Sequence, residues 1–191
     1  MTEADVREAL SGLNEVQVLT SLKTGQTRPA PKPTFIDVVL QHGRMYDLRP
    51  RPKGLRRGAP KACFHNAFRA VIRDRDSRFR YAEGFALFSD SNLPIHHGWL
   101  VDDAGAYEVT LATPADAYFG VECDALKLIA PGGITSAFGF SDNWLNDSLH
   151  AEALKRFEAA ILGTGKRITS PYARTSRGGA AQHRTRARSR R

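Results

Sequence analysis

The sequence predicts an α+β fold, in which a helix packs on an antiparallel sheet. Residues 62–72 place their apolar side chains on one helical face, and residues 81–88 and 95–101 then follow the pattern of strands. Residues 102–105, Asp-Asp-Ala-Gly, are typical of a turn that closes a hairpin, with the return strand over 106–111. A helix followed by a meander of strands is the pattern of an α+β domain.

The elements that precede this unit are less regular. Residues 2–13 are predicted to form a helix, because Thr2 and Asp5 have the spacing of a capping box. Residues 25–33 hold three prolines and are predicted to be a loop or linker. Residues 35–40 carry a β-branched run that suits either a buried strand or a short helix, and six residues are too few for periodicity to decide.

Three further segments complete the prediction. Residues 49–60, with three prolines and two glycines, are predicted to be an extended loop. Residues 118–121 favour another strand, and residues 142–162 contain a last helix that Gly163 and Gly165 end. The apolar positions of this helix recur every four residues at Leu145, Leu149, Ala153, Phe157 and Ile161.

The length of 191 residues fits one domain with a hydrophobic core, since 41% of the residues are apolar and 25% are charged. We predict an N-terminal helix and linker over 1–34 and the domain over 35–162. Residues 163–191 are rich in glycine, serine, threonine and arginine and have almost nothing to bury, so a disordered tail is expected there.

The net charge of +8 belongs to the tail and not to the domain. Residues 163–191 hold nine of the 28 Lys and Arg residues and none of the 20 acids, which leaves 19 cations against 20 acids over residues 1–162. The domain has one further basic cluster, residues 44–61, with seven Lys or Arg and the single acid Asp47. Non-specific contact with nucleic acid or another polyanion is therefore expected through the tail, whose alternative role is to aid solubility.

Composition excludes several other classes of protein. No stretch approaches the about 20 apolar residues that cross a bilayer, so no membrane partner is expected. The acidic N-terminus lacks the pattern of a secretory signal, and the two cysteines, Cys63 and Cys123, form no disulfide framework. A cytoplasmic location is expected. The histidines and cysteines have no metal-ligand spacing, so we expect no metal and no other cofactor.

Cys63 is the candidate nucleophile. It lies in the first turn of the predicted helix, where free backbone N–H groups and the helix dipole favour an anion, and Lys61 adds a positive charge. These surroundings favour the thiolate, which is the reactive form of cysteine. The alternative interpretation is that Cys63 is a small buried apolar residue.

The candidate base and its orienting acid follow in the chain. Residues 95–101 bear His96 and His97 on opposite faces of a strand, so only one of them can meet Cys63, and Trp99 on the same face favours His97. Glu108 is expected on the neighbouring antiparallel strand, beside His97. A thiol, an imidazole and a carboxylate in this order are the components of a nucleophilic triad.

The order of these residues resembles the papain-like superfamily in its transglutaminase-like branch, which includes arylamine N-acetyltransferases and cell-wall amidopeptidases. A Cys at a helix start, His97-Gly98-Trp99 on a strand and Glu108 on the next strand carry this resemblance. A group of uncharacterised bacterial and phage proteins is more similar over residues 40–125. The shared motifs are Cys63-Phe64-His65-Asn66-Ala67, Tyr81-Ala82-Glu83-Gly84-Phe85-Ala86, His97-Gly98-Trp99-Leu100-Val101-Asp102 and Tyr118-Phe119-Gly120-Val121.

The resemblance implies a papain-like fold and leaves some supporting residues open. Glu108 stands where the family has Asp, which suits the same orienting role. The glutamine that papain-like enzymes place before the cysteine has no clear counterpart, and Gln41 is a candidate by order only. Asn66 is expected either to bond back across the helix start or to cap locally, and Glu83 to pair with a cation.

We therefore expect acyl transfer through a Cys63 thioester. Hydrolysis of a peptide, isopeptide or amide bond in a protein or peptide substrate is the leading hypothesis. Transfer to an amine at the same site is the enzymatic alternative. The rival from another class is a non-catalytic, nucleic-acid-associated protein that binds through its arginine-rich tail. The sequence identifies no particular substrate.

Overall fold

A computed structural model of the chain describes residues 1–20, 24–29, 32–91, 93–128 and 147–162. The helices in these ranges are α1 (Glu3–Val16), α2 (Phe35–His42), α3 (Cys63–Arg73) and α4 (Asp147–Ala160). The strands are β1 (Val18–Thr20), β2 (Thr27–Pro29), β3 (Arg44–Met45), β4 (Arg80–Leu87), β5 (Ile95–Val101), β6 (Ala106–Tyr107) and β7 (Ala117–Cys123). None of the described helices is long and apolar enough to reach across a bilayer.

The main sheet has five strands in the order β3-β7-β4-β5-β6, and every neighbouring pair is antiparallel. β4 lies at its centre, bonded along almost its whole length to β5 on one side and to β7 on the other. β1 and β2 form a separate hairpin. The α+β class with an antiparallel sheet, predicted from the meander of strands, is confirmed.

Both faces of the sheet are covered, which explains why all eight residues of β4 are buried. One face, on which Tyr81 and Phe85 lie, packs against the four helices. The opposite face holds a smaller cluster around Trp99 and Tyr118. Since side chains alternate along a strand, neighbouring residues such as His96 and His97 belong to different clusters.

Two helices begin with a side-chain cap, and the third does not. The Thr2 hydroxyl accepts from the Asp5 N–H while the Asp5 carboxylate accepts from the Thr2 N–H, so the predicted capping box of α1 is confirmed. α2 begins in the same way at Thr34. α3 begins after Ala62, which has no side-chain hydrogen bond to give, so the first-turn N–H groups beside Cys63 have no capping side chain.

Several predicted boundaries need correction. Residues 25–33 are not all loop, because Thr27–Pro29 pairs with β1. Residues 35–40, left open between strand and helix, belong to α2, where the Thr34 cap and the burial of Phe35, Ile36, Val38 and Val39 favour the helix. The first five residues of the predicted helix over 142–162 lie outside the described residues, as does the whole tail over 163–191.

The return strand predicted over 106–111 is too long, because β6 ends at Tyr107. Glu108 therefore follows the strand instead of lying on it. Its side chain explains the change: the carboxylate Oε1 accepts the backbone N–H groups of Thr110 at 2.5 Å and Leu111 at 2.8 Å, so the chain turns around Glu108.

Candidate active site

Three elements meet at the candidate site. Cys63 is the first residue of α3, His97 lies in β5, and Glu108 directly follows β6. Gly98 allows α3 to approach β5 closely, because a Cβ atom at Gly98 would lie only 3.0 Å from the Phe64 Cδ1 atom and 3.2 Å from its Cα. The missing side chain therefore lets the start of the helix lie against the strand that carries His97.

The imidazole of His97 contacts both of the other groups. Its Nε2 lies 2.8 Å from Glu108 Oε2, and Cys63 lies close enough to the ring to help raise the pKa of the imidazole. His97 and Glu108 are almost completely buried, whereas Cys63 is half-buried. Of the three side chains, Cys63 is thus the one that solvent reaches most easily.

The carboxylate of Glu108 has a full set of donors. Besides the two backbone N–H groups on Oε1, its Oε2 accepts the Tyr118 hydroxyl at 2.6 Å. The Tyr118 oxygen in turn accepts the Ala115 N–H at 3.1 Å. Four donors hold the carboxylate in one orientation, so Glu108 can fix the position of the His97 ring.

Hydrogen bonding decides the charge state of Glu108. Burial by itself raises the pKa of this carboxyl, but the hydrogen bonds from His97, Tyr118 and the Leu111 N–H outweigh burial and lower the pKa from 4.5 to about 2. Glu108 is therefore an anion at neutral pH. An anion only accepts hydrogen bonds, so His97 Nε2 carries a proton and donates it to Glu108.

The same network determines the charge of His97. Burial alone lowers the pKa of the imidazole, but its hydrogen bonds to Cys63 and Glu108 prevail and raise the pKa from 6.5 to about 9. With Nε2 bonded to Glu108, Nδ1 is the ring nitrogen left to serve Cys63. The arrangement can therefore supply a nucleophile at Cys63 and a proton donor at His97.

Trp99 supports His97 from two residues along β5. The two rings are nearly parallel, with planes 16° apart and centroids 6.4 Å apart. The indole is completely buried and packs edge-on against Tyr46 and Tyr118. This side of the His97 ring is therefore closed to water and held in place by packing.

Asn66 joins the start of α3 to the turn around Glu108. Its Nδ2 donates to the Ala59 carbonyl at 2.7 Å and to the Thr110 hydroxyl at 2.9 Å. Of the two roles considered for Asn66, the structure shows the bond back across the helix start, which is the one to Ala59. The second bond, to Thr110, reaches the turn that surrounds the Glu108 carboxylate. Asn66 thereby links the element that bears the thiol to the element that bears the carboxylate.

His96 belongs to a separate set of contacts on the helix side of the sheet. Its Nε2 lies 2.8 Å from Glu83 Oε1, and the Tyr81 hydroxyl donates to Glu83 Oε2 at 2.6 Å. The His96 ring lies against the rings of Phe35 and Phe64, with centroids 4.3 and 4.7 Å away. We call His96, Glu83 and Tyr81 the helix-side cluster, and His97, Glu108 and Tyr118 the thiol-side cluster.

Gln41 does not join this site. It lies exposed in the last turn of α2, and no hydrogen bond in the described part of the chain connects it to Cys63, His97 or Glu108. The match was by order along the chain only, which carries no information about distance. Donors for an oxyanion are instead available at the uncapped first turn of α3.

Tyr118 and Thr110 are the contacts of the site that sequence reasoning missed. Tyr118 was noted only as part of a strand and of the Tyr-Phe-Gly-Val motif. The alternation of β7 was a usable signal, because it places Tyr118 on the face opposite Phe119 and hence on the face of Trp99 and His97. Nothing in the sequence indicates that Thr110 bonds to Asn66, 44 residues away.

The second thiol has different surroundings. Cys123 is fully buried, and burial, with nearby Glu83, Glu122 and Asp124, raises the pKa of its thiol well above the usual range. Among the described residues, no group of three or more His, Cys, Asp or Glu side chains could hold a metal ion. Comparison of the chain with protein family models, curated proteins and solved structures finds no match.

Proposed function

We propose that this protein is a cysteine-dependent hydrolase of a peptide, isopeptide or amide bond. The observation that carries the proposal is the buried Glu108–His97 pair, with 2.8 Å between Oε2 and Nε2, and its contact with the half-exposed thiol of Cys63. The resemblance to the papain-like superfamily adds support, because that family uses a thiol at a helix start with a base and an acid on a sheet. We accordingly propose a papain-like arrangement within the α+β fold.

In the proposed reaction the Cys63 thiolate attacks the carbonyl carbon of the substrate and a C–S bond forms. The carbonyl oxygen becomes an oxyanion, which the uncapped N–H groups of α3 stabilise. The C–N bond then breaks, and the leaving amine takes the proton from His97 Nδ1. Glu108 stays ionised and keeps the ring oriented.

Hydrolysis of the thioester completes the cycle. His97 Nδ1 accepts a proton from water as the water oxygen attacks the acyl carbon. The C–S bond breaks, the acid product leaves, and the thiolate and imidazolium are restored. An amine in place of water would give transfer, so the transglutaminase-like or acyltransferase alternative uses the same thioester.

The first experiment uses an activated acyl donor, p-nitrophenyl acetate, and needs no knowledge of the natural substrate. We expect release of p-nitrophenol and a covalent acetyl group on Cys63, detected by intact mass and peptide mapping. Cys63→Ala should abolish both signals, and Cys123→Ala should leave them unchanged. Acylation that persists in Cys63→Ala, or that maps to Cys123 or to lysines, would contradict the proposal.

The same assay distinguishes hydrolysis from transfer. Adding a primary amine, such as glycinamide, to the acetylated protein should leave hydrolysis dominant if water is the usual acceptor. A thioester that is stable in water and consumed by the amine would assign the site to acyl transfer. Both results keep Cys63, His97 and Glu108 in their proposed roles.

Binding of nucleic acid through the tail is the proposal from another class. Nine cations without an acid over 163–191 favour salt-dependent, sequence-independent contact with phosphates. A chain ending at Leu162 should fold with unchanged thermal stability, keep its acylation rate and lose affinity for a DNA oligonucleotide. If that chain binds DNA as tightly as the full chain, the contact lies in the domain.

A further inference from the structure

A cleft of about 420 Å³ lies along α3, between the helix and the segment 54–58. Arginines dominate its polar lining, and its apolar wall is formed by Leu55, Ala70 and Phe79. We call it the arginine cleft. Its arginines are Arg56 and Arg57 from the segment, Arg69 and Arg73 from the helix, and Arg78 from the chain after the helix. Cys63 is not among its lining residues.

The charge of the arginine cleft is almost uncompensated. Asp74 is its single acid, and this buried carboxylate is already engaged by the Phe79 N–H at 2.7 Å and by Arg78 at 3.7 Å. Within the described part of the chain, the other four guanidinium groups have no carboxylate within 4.0 Å. Like charges that line one cleft repel each other, so an anion that enters it is attracted by several of them.

The backbone around the cleft is fixed before any ligand arrives. The Gly58 N–H donates to the Val109 carbonyl at 2.8 Å, and Asn66 donates to the Ala59 carbonyl. Gly58 also lies so close to α3 that a Cβ atom there would overlap the Asn66 side-chain amide. The backbone at Gly58 therefore stands at a set distance from the helix, so the entropy lost on binding comes from the arginine side chains and not from this part of the backbone.

We propose that the arginine cleft binds a compact ligand that carries two or three linked phosphate groups. The guanidinium fork matches phosphate oxygens in pairs, and each phosphate brings about one to two negative charges into a small volume. Two or three linked phosphates therefore balance the four free arginines within this cavity. Four carboxylates on an extended peptide would span roughly 10 Å or more, since each residue adds about 3.3 Å, which suits a longer groove.

Binding should be measured by titration calorimetry with sodium tripolyphosphate on the full chain. The double variant Arg69→Gln/Arg73→Gln should bind at least about tenfold more weakly, since it removes two of the guanidinium groups that can bond to phosphate oxygens in pairs. The matched control is Arg51→Gln/Arg75→Gln, which removes the same charge from exposed arginines outside the cleft. The control should bind as the unmodified chain does, because its cleft is intact. Since the tail and the net charge are the same in the two double variants, the difference between them reports on the cleft.

Equal loss in the two double variants, or no loss in either, would overturn the proposal, because general charge or the tail would then account for binding. Both variants should melt at or above the temperature of the unmodified chain, since they remove like charges from exposed positions. A cleft variant that melts much lower should be replaced by Arg56→Gln/Arg57→Gln, which alters the segment instead of the helix. Its binding then decides the question.

Three further ligands identify the source of the phosphates. Tighter binding of adenosine triphosphate than of tripolyphosphate, lost in the cleft variant, would assign a nucleotide whose base uses the apolar wall. Equal affinity for the two would assign the phosphate chain alone. A DNA oligonucleotide or a glutamate-rich peptide that binds more tightly and depends on Arg69 and Arg73 would overturn the proposal in favour of a macromolecular partner.

Discussion

The thiol-side and helix-side clusters are built from the same parts on opposite faces of one strand. In each, a tyrosine hydroxyl lies 2.6 Å from a glutamate oxygen, and a histidine Nε2 lies 2.8 Å from the same carboxylate. The two histidines are neighbours, His96 and His97. They differ in what else the ring meets, because His97 contacts the Cys63 thiol whereas His96 lies among phenylalanine rings.

This difference teaches that a His–Glu–Tyr network is not in itself a reactive site. The helix-side network satisfies the polar atoms of Glu83, which is 0% exposed and would be strongly destabilising without partners. The thiol-side network has the same hydrogen bonds but ends on a nucleophile. If the proposed chemistry is right, substitutions on one side should change reactivity, and the equivalent substitutions on the other should change stability alone.

The largest difference is expected between the two histidines. His97→Gln should slow alkylation of Cys63 by iodoacetamide at pH 7 by about 10-fold to 30-fold, because the imidazole that takes the thiol proton is lost and an isolated thiol is only about 3% ionised at this pH. His96→Gln should leave the rate within about twofold. Rates should be followed by mass spectrometry of the Cys63 peptide, with buried Cys123 as an unreactive internal reference.

The opposite result, with His96→Gln abolishing reactivity, would mean that β5 is shifted by one residue, since such a shift exchanges the faces of all its side chains. Equal and slow labelling of Cys63 and Cys123 in the unmodified chain would make Cys63 an ordinary core residue. Circular dichroism of both variants should accompany the rates, so that unfolding is not mistaken for lost chemistry.

The two glutamates should give the next largest contrast. Glu108→Gln keeps the shape of the side chain but removes the charge that holds the His97 proton, so alkylation of Cys63 should slow by about 3-fold to 10-fold. Glu83→Gln should leave that rate unchanged and lower the free energy of unfolding by about 1–3 kcal/mol. Urea denaturation gives the free energy, and a slow Glu83→Gln variant would contradict the separation of the clusters.

The free energy of unfolding should depend on pH as the shifted pKa values of His97 and Glu108 require. The raised pKa of His97 stabilises the fold fully below about 6.5 and ceases to do so as the pH rises through about 9. The lowered pKa of Glu108 stabilises the fold above about 4.5, and this contribution is lost as the pH falls towards about 2. Urea denaturation from pH 5 to 10 should show the alkaline decline in the unmodified chain and in His96→Gln, and a smaller decline in His97→Gln.

The tyrosines should give the smallest effects. Tyr118→Phe and Tyr81→Phe each remove one hydrogen bond to a carboxylate, and each should lower the free energy of unfolding by about 1–2 kcal/mol. Tyr118→Phe alone should also slow alkylation, by a few-fold, because Glu108 keeps its other donors. Adding Tyr118→Phe to His97→Gln should cause no further loss of rate, and this non-additivity would identify Tyr118 as a positioning residue that acts through His97.

Features that depend on local sequence were predicted well. The capping box of Thr2 and Asp5, the helix that begins at Cys63 and the strand Ile95–Val101 each follow from residues a few positions apart. The alternation of a strand was also enough to separate His96 from His97. The predicted pairing of His97 with Glu108 is observed, whereas alternation could not show that His96 is the partner of Glu83, which lies on β4.

Features assembled across the chain were not predictable. The helix over 35–42 depends on burial of its apolar face by other elements, and six residues of sequence do not contain that information. The strand after residue 105 was predicted too long, because the bonds from Thr110 and Leu111 to Glu108 compete with strand pairing. The arginine cleft unites three segments whose arginines look like ordinary surface charges in the sequence.

At the uncapped start of α3, a substitution that raises stability is expected to lower reactivity. Replacing Ala62 with Asp or Ser would place a capping side chain at the position where α1 and α2 have theirs, and caps add about 1 kcal/mol to stability where the side chain reaches the free N–H groups. The new side chain would occupy the N–H groups proposed to receive the oxyanion, and Asp would add a negative charge beside the thiol. If the proposed chemistry is right, a screen for heat resistance would therefore favour substitutions at position 62 that a screen for turnover would reject.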